Sequence, residues 1–451
     1  MMRKLRPRIG AFLSVFLFFQ LAGCSFKQHA FNSLAEDLSR GHVEQVLVEV
    51  EKSSYPDRDY VQYQLNIGLL RAYSGDFPGA IEELQKAKQV IAALQAKSVS
   101  ENVGAVAVNE TLRSYSSTPS ERMMLQQLLI IAYLLEGDIG GARVEVLQGQ
   151  VIEQSLPMNS GLSGMVASSH YLAGLVYQIN GEPDNAMISY RRALQVMNKS
   201  GIKPPKALSD GLLRASLRLG LDDEHRQLVE QFDYQLAPIS RESAELVVLY
   251  WQGVVSHKSQ HFITVYVPSL EHNVSLALPY YPSPPASSRR LAYNLDGKQY
   301  KTEILDNIET LARDDLAADS AAIYAAALAR MVTKHQAIKE AQKNDSSGFA
   351  AAILNIASVV SEVADVRSWN MLPSAVQVQR LDIDAGEYTL AQPKEAGGLQ
   401  INKVELADPD DVQHPTIVET QEDTILVDKG QTLFIFYPSP ADQVFSIVEP
   451  L

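Results

Sequence analysis

The sequence predicts an α+β protein in two parts. An N-terminal solenoid of paired helices occupies residues 24–235, and a mixed α/β module with a helical hairpin and a β-rich end occupies 236–451. Two observations carry this. From about Gln28 to Phe232 apolar residues recur at helical spacing, punctuated by Gly-Asp or Gly-Glu. Beyond Phe232, short β-branched and aromatic runs take over, separated by Pro-rich turns and Ala-rich stretches. At 46% hydrophobic, the chain has the apolar material for a sizeable core, and its length suits two or three domains.

Ahead of the helices lies a leader. Arg3, Lys4, Arg6 and Arg8 precede an apolar run from Ile9 to Leu21, shorter than the ~20 residues that span a bilayer. The run ends in Leu21-Ala22-Gly23-Cys24, and Cys24 is the sole cysteine. These residues resemble a bacterial lipoprotein signal; an ordinary secretory signal and a short anchor helix are the alternatives. The resemblance implies that residues 1–23 are a signal peptide cut after Gly23 and that Cys24 carries lipid, palmitate included. A thiol so used leaves none for disulfides, and several acyl chains give lasting membrane attachment. Ser25 favours, by analogy with lipoprotein sorting, the periplasmic face of the Gram-negative outer membrane. Losing four basic residues and no acidic ones turns the net charge from −14 to −18, which disfavours nucleic acid and anionic headgroups as partners.

The clearest helical unit is His170-x2-Ala173-Gly174-x2-Tyr177, then Gly181-Glu182, then Ala186-x3-Tyr190 and Ala193. A second contains Gln64-x2-Ile67-Gly68, Gly75-Asp76-Phe77 and Ala80-x3-Leu84; a third contains Tyr133, Gly137-Asp138 and Ala142-x3-Val146. These units resemble tetratricopeptide repeats, in which small residues such as Gly68, Ala80, Ala142, Gly174 and Ala186 let two helices close. Aromatics such as Tyr133, Tyr177 and Tyr190 fill the space between. Weaker units surround Gly41 and Gly220. Spacings of 62 residues (Ala80 to Ala142) and 44 (Ala142 to Ala186) exceed the period of about 34, so residues 96–120 read as an insertion. The competing reading is a plain all-α bundle. The resemblance implies a concave face for an extended partner segment, with Gln64, Arg71, Gln126, Gln127 and His170 as candidate inward positions, each of which also reads as an ordinary satisfied polar residue.

In the second half, strands are expected at 246–250, 261–267, 274–278, 375–383, 386–391, 399–404, 424–427 and 431–437. Helices are expected at about 302–313, 317–342 and 348–366, the last two as an antiparallel pair; their Ala content favours mutual packing over membrane contact. The segment Ala364-Asp365-Val366-Arg367-Ser368-Trp369, with Tyr133 to Glu145 and Ala277-Leu278-Pro279, is similar to a family of Gram-negative lipoproteins with helical repeats and no assigned activity. Asp365, Arg367 and Trp369 read as a satisfied buried turn.

Catalytic patterns do not emerge. The nine histidines include only His257 and His261 at i,i+4, between strands rather than on a helix, and no nucleophile or phosphate-loop motif occurs. No cofactor, metal or small-molecule substrate is indicated. The expectation is a non-enzymatic scaffold or assembly factor that binds protein partners in the periplasm or envelope. The alternative is an envelope hydrolase with dispersed carboxylates in the C-terminal half.

Overall fold

A computed structural model describes residues 31–100, 114–156, 161–236, 243–268, 271–285, 288–344, 363–393, 398–404 and 424–450. Helix makes up 52% and strand 23%, a mixed class.

The helices come as hairpins: α1 (residues 31–39) with α2 (Val43–Lys52), α3 (Tyr60–Tyr73) with α4 (Phe77–Ser100), and α5 (Pro119–Leu135) with α6 (Ile139–Gln154). Then α7 (Ala167–Ile179) pairs with α8 (Pro183–Ser200), and α9 (Lys206–Arg218) with α10 (Asp222–Phe232). One turn closes all of them. Gly41, Gly75, Gly137, Gly181 and Gly220 take φ between +64° and +89°, a conformation glycine adopts without strain. In each, the glycine N–H and the next N–H reach back to orphan carbonyls, as when Gly75 N bonds Ala72 O at 3.3 Å and Asp76 N bonds Arg71 O at 2.9 Å. Asp76 and Asp138 then cap the following helix through Gly79 N (3.0 Å) and Gly141 N (2.8 Å).

Twelve strands follow Phe232 among the described residues. The first sheet has the order β12 (Phe445–Pro450), β11 (Gln431–Pro438), β1 (Ser243–Gln252), β7 (Ala375–Asp384), β6 (Glu303–Asn307). The second has the order β10 (Thr424–Val427), β8 (Gly386–Ala391), β9 (Gln400–Lys403), β4 (Ala292–Leu295), β5 (Lys298–Lys301). A separate hairpin joins β2 (Ser259–Val267) to β3 (His272–Tyr280).

The first sheet is covered on both faces, which is why β1 and β11 read as continuous apolar runs. Val247, Leu249, Trp251, Val376, Val378, Phe434 and Phe436 point into one core with the helices. Leu246, Val248, Tyr250, Leu433 and Ile435 point the other way, onto Tyr293, Tyr388, Ile401 and Val427 of the second sheet. The result is layered: outer helices, inner helices, first sheet, second sheet.

Three expectations need correction. Residues 303–307 form strand β6 on β7 rather than the start of a helix, and α11 runs unbroken from Ile308 to Asn344. Asn307 caps that helix through Thr310 N at 2.9 Å, and Asp314-Asp315 lies within it instead of ending a shorter one. The partner expected at 348–366 lies mostly outside the described residues; its end, 363–366, is irregular backbone. Strands β4, β5 and β12 were not expected at all.

Candidate functional site

The inner helices α3, α5, α7 and α9 would line a partner groove, but their exposed sides are engaged by the chain itself. Gln62 Nε2 donates to Ser368 O at 2.6 Å, and Trp369 N donates to Glu121 Oε1 at 2.7 Å. Asn66 Nδ2 lies 3.4 Å from Asn370 Oδ1, while Arg367 bonds Asp59 at 2.9 Å and Asp365 at 2.6 Å. Further along, Asp306 of β6 accepts from Ala167 N (3.1 Å) and Ser168 N (2.6 Å), capping α7 from outside. Asp315 of α11 does the same for α5, accepting from Ser120 N at 3.1 Å and from the hydroxyls of Ser120 and Ser163 at 2.9 and 2.6 Å. Arg380 of β7 forks onto Glu245 of β1 (2.5 and 2.8 Å) and donates to Gln178 of α7 at 2.8 Å. Burial opposes the Arg380 charge, but Glu245 outweighs it and holds the guanidinium well above its ordinary range.

The candidate inward positions lie elsewhere. Arg71 pairs with Glu51 (3.3 Å) and Glu83 (3.5 Å), and Gln127 accepts from Ser168 and Ser169. His170 sits 3.5 Å from Glu153. Gln64 and Gln126 are buried. The packing residues sit within the hairpins. A Cβ on Gly68 would lie 2.6 Å from Leu84, one on Gly174 would enter the Tyr190 ring, and the Tyr133 ring covers Gly141. Ala80, Ala142, Ala186 and Tyr177 are buried. Gly23 and Cys24 lie outside the described residues.

The open side of the array is its outer layer. On α6, Val144, Leu147 and Val151 are 48%, 40% and 66% exposed, at i, i+3 and i+7, and Ile188 of α8 is 58% exposed. Ion pairs frame them: Arg143–Glu182 (2.5 Å), Arg192–Glu153 (2.5 Å) and Lys88–Glu145 (2.5 Å). The first two share a 39-residue offset, which sets Ile188 at the height of Leu147 and Val151. Arg143 holds the Glu182 carboxyl down at about 2. For Glu153, burial opposes the charge, yet His170 and Arg192 prevail and keep it at about 2.

Five carboxylates of the C-terminal half are engaged in structural roles: Glu245 on Arg380, Asp306 and Asp315 as caps, Asp365 on Arg367, and Glu309 on Ser256 N at 2.6 Å. No cluster of three metal-binding side chains occurs among the described residues. Sequence reading missed Gln62, Asn66, Glu121 and Asp306 as the residues that join the halves. Only Glu121 carried a signal, as the fourth residue of a Thr118-Pro-Ser-Glu capping box.

No protein-family model matches the chain, and no curated protein matches it. Solved structures give partial likenesses. A structure of MamA (AMB-1) is 12% identical over 47% of this chain and 95% of its own, with a TM-score of 0.30. Another crystal structure of MamA is 18% identical, covering 43% and 91%, at 0.29. BtubC from P. vanneervenii is 14% identical, covering 50% and 85%, at 0.29. Scores this low carry no inference about what this chain binds.

Proposed function

We propose that this protein is a lipid-anchored envelope lipoprotein of tetratricopeptide type that serves as a protein-interaction scaffold, held by Cys24 at the periplasmic face of the outer membrane. The observation that carries the reading is the outer-layer patch of Val144, Leu147, Val151 and Ile188 inside its frame of fixed ion pairs. An apolar centre with a charged rim is the anatomy of a protein–protein interface. The inner face is committed to the chain's own sheet, so a partner meets the outer helices instead.

A photo-crosslinking residue placed at Val151 in the full chain, in cells, is expected to capture one protein species. The same residue at Lys298, on the second sheet, is expected to capture none. Equal labelling at both positions, or at neither, sinks the scaffold reading. Replacement of Cys24 by Ala is expected to abolish palmitate incorporation and move the chain to the soluble fraction; label retained in that variant refutes the anchor.

A further inference from the structure

Strand β2 is an edge that, among the described residues, the chain meets only near its start, where Ala364 N donates to the Gln260 side chain at 3.1 Å. It pairs only with β3 among the described residues, over nine consecutive residue pairs without a bulge. Helix α11 lies over β3, and their shared core contains Val267, Val274, Leu276 and Ala327. Of the hairpin's two edges, that of β3 is blunted by Pro279, which leaves that of β2, with Phe262 57% and Tyr266 59% exposed on the face away from the core. Natural edges are blunted by lysine, proline, bulges or shortness. Ser259-Gln-His-Phe-Ile-Thr-Val-Tyr-Val267 has none of these over nine residues.

We propose that β2 is completed by β2 of a second copy of this chain, antiparallel about a two-fold axis through Thr264, making a four-stranded sheet across a homodimer. Two features select a second copy. The pattern is self-complementary about Thr264: Phe262 falls opposite the partner's Tyr266, and Ile263 opposite the partner's Val265, each pairing occurring twice. Aromatic and β-branched cross-strand pairs of this kind stabilise sheets. The electrostatics agree. Two chains of net charge −14 repel, yet β2 and β3 carry no Asp, Glu, Lys or Arg, so this is where like-charged copies meet at least cost.

The test uses the full chain in detergent. Thr264→Cys, in a Cys24→Ala background, is expected to form a disulfide-linked dimer on mild oxidation, because directly opposed strand residues have Cβ atoms about 5 Å apart. Ser275→Cys, on the same face of β3, would sit three strand spacings, about 14 Å, from its mate and should stay unlinked. Sedimentation of the native chain should show a dimer, and Thr264→Lys should weaken it about tenfold or more with unchanged circular dichroism. A monomeric native chain, a dimer indifferent to Thr264→Lys, or equal linkage through Ser275→Cys overturns the proposal.

Discussion

Asp306 is a carboxylate almost without access to water, and burial pushes its pKa up to about 6 despite the two N–H groups it accepts from α7. Between about pH 4 and 6 the folded protein therefore holds a proton that the unfolded chain, with an ordinary value of 3.8, has already lost. Stability from this group is complete below about pH 4 and falls as pH rises through about 6, by about 3 kcal/mol in total. Asp306→Asn should flatten that slope. Denaturant midpoints for both proteins between pH 4 and 7 are the measurement, and parallel profiles would refute the assignment. A different residue-scale pattern links three repeats. Gln64, Gln126 and His170 hold the same place in α3, α5 and α7, each at least nine-tenths buried; His170 faces Glu153 at 3.5 Å, whereas Gln64 Oε1 and both side-chain polar atoms of Gln126 lack a hydrogen bond. A polar residue so placed costs stability that an apolar one would not.

Between elements, the Arg380–Glu245 pair spans β7 and β1 and carries the first sheet onto α7 through Gln178. Removing Arg380 leaves the buried Glu245 with only the longer 3.5 Å contact to Arg214, so Arg380→Met is expected to cost about 3 kcal/mol in urea unfolding, whereas the double change with Glu245→Met recovers most of it. A double variant no better than the single one would show that the pair itself is not the source. Which elements the sequence revealed follows from range. The Gly-Asp turns were legible because their requirement is local: a left-handed residue and then a cap. Strands β1, β7 and β11 announced themselves by composition, since burial on both faces leaves no polar alternation. The hairpin of β4 and β5 was readable too, in Asp296-Gly297, whose positive φ values of 48° and 74° close a two-residue turn, but it went unread. Strand β6 was not readable, because Glu-Ile-Leu-Asp-Asn suits the first turn of a helix as well as a strand. Nor was the filled groove, since Gln62 and Ser368 meet across 306 residues and neither advertises the other.

Across the whole molecule, helices and first sheet share one core, containing both tryptophans, Trp251 and Trp369. The two halves, distinct in sequence texture, are thus thermodynamically joined. Indole fluorescence and far-ultraviolet circular dichroism are expected to trace a single coincident unfolding transition in urea. Two separated transitions would mean that the array stands without the sheet. The turns reinforce the union: Gly41, Gly75 and Gly137 rest against Pro440, Phe445 and Ile447, while Gly181 and Gly220 touch nothing beyond their own neighbourhood.

Strand β11 is the parallel neighbour of β1, yet follows it only after nearly all of the second half of the polypeptide. During synthesis, the part of the shared core that Phe434 and Phe436 fill waits uncovered until that late segment arrives. A premature stop codon only slightly upstream of Gln431 is therefore expected to leave a protease-sensitive remnant in place of a shortened but working protein, since the first sheet loses two of its five strands and the core loses Phe434 and Phe436.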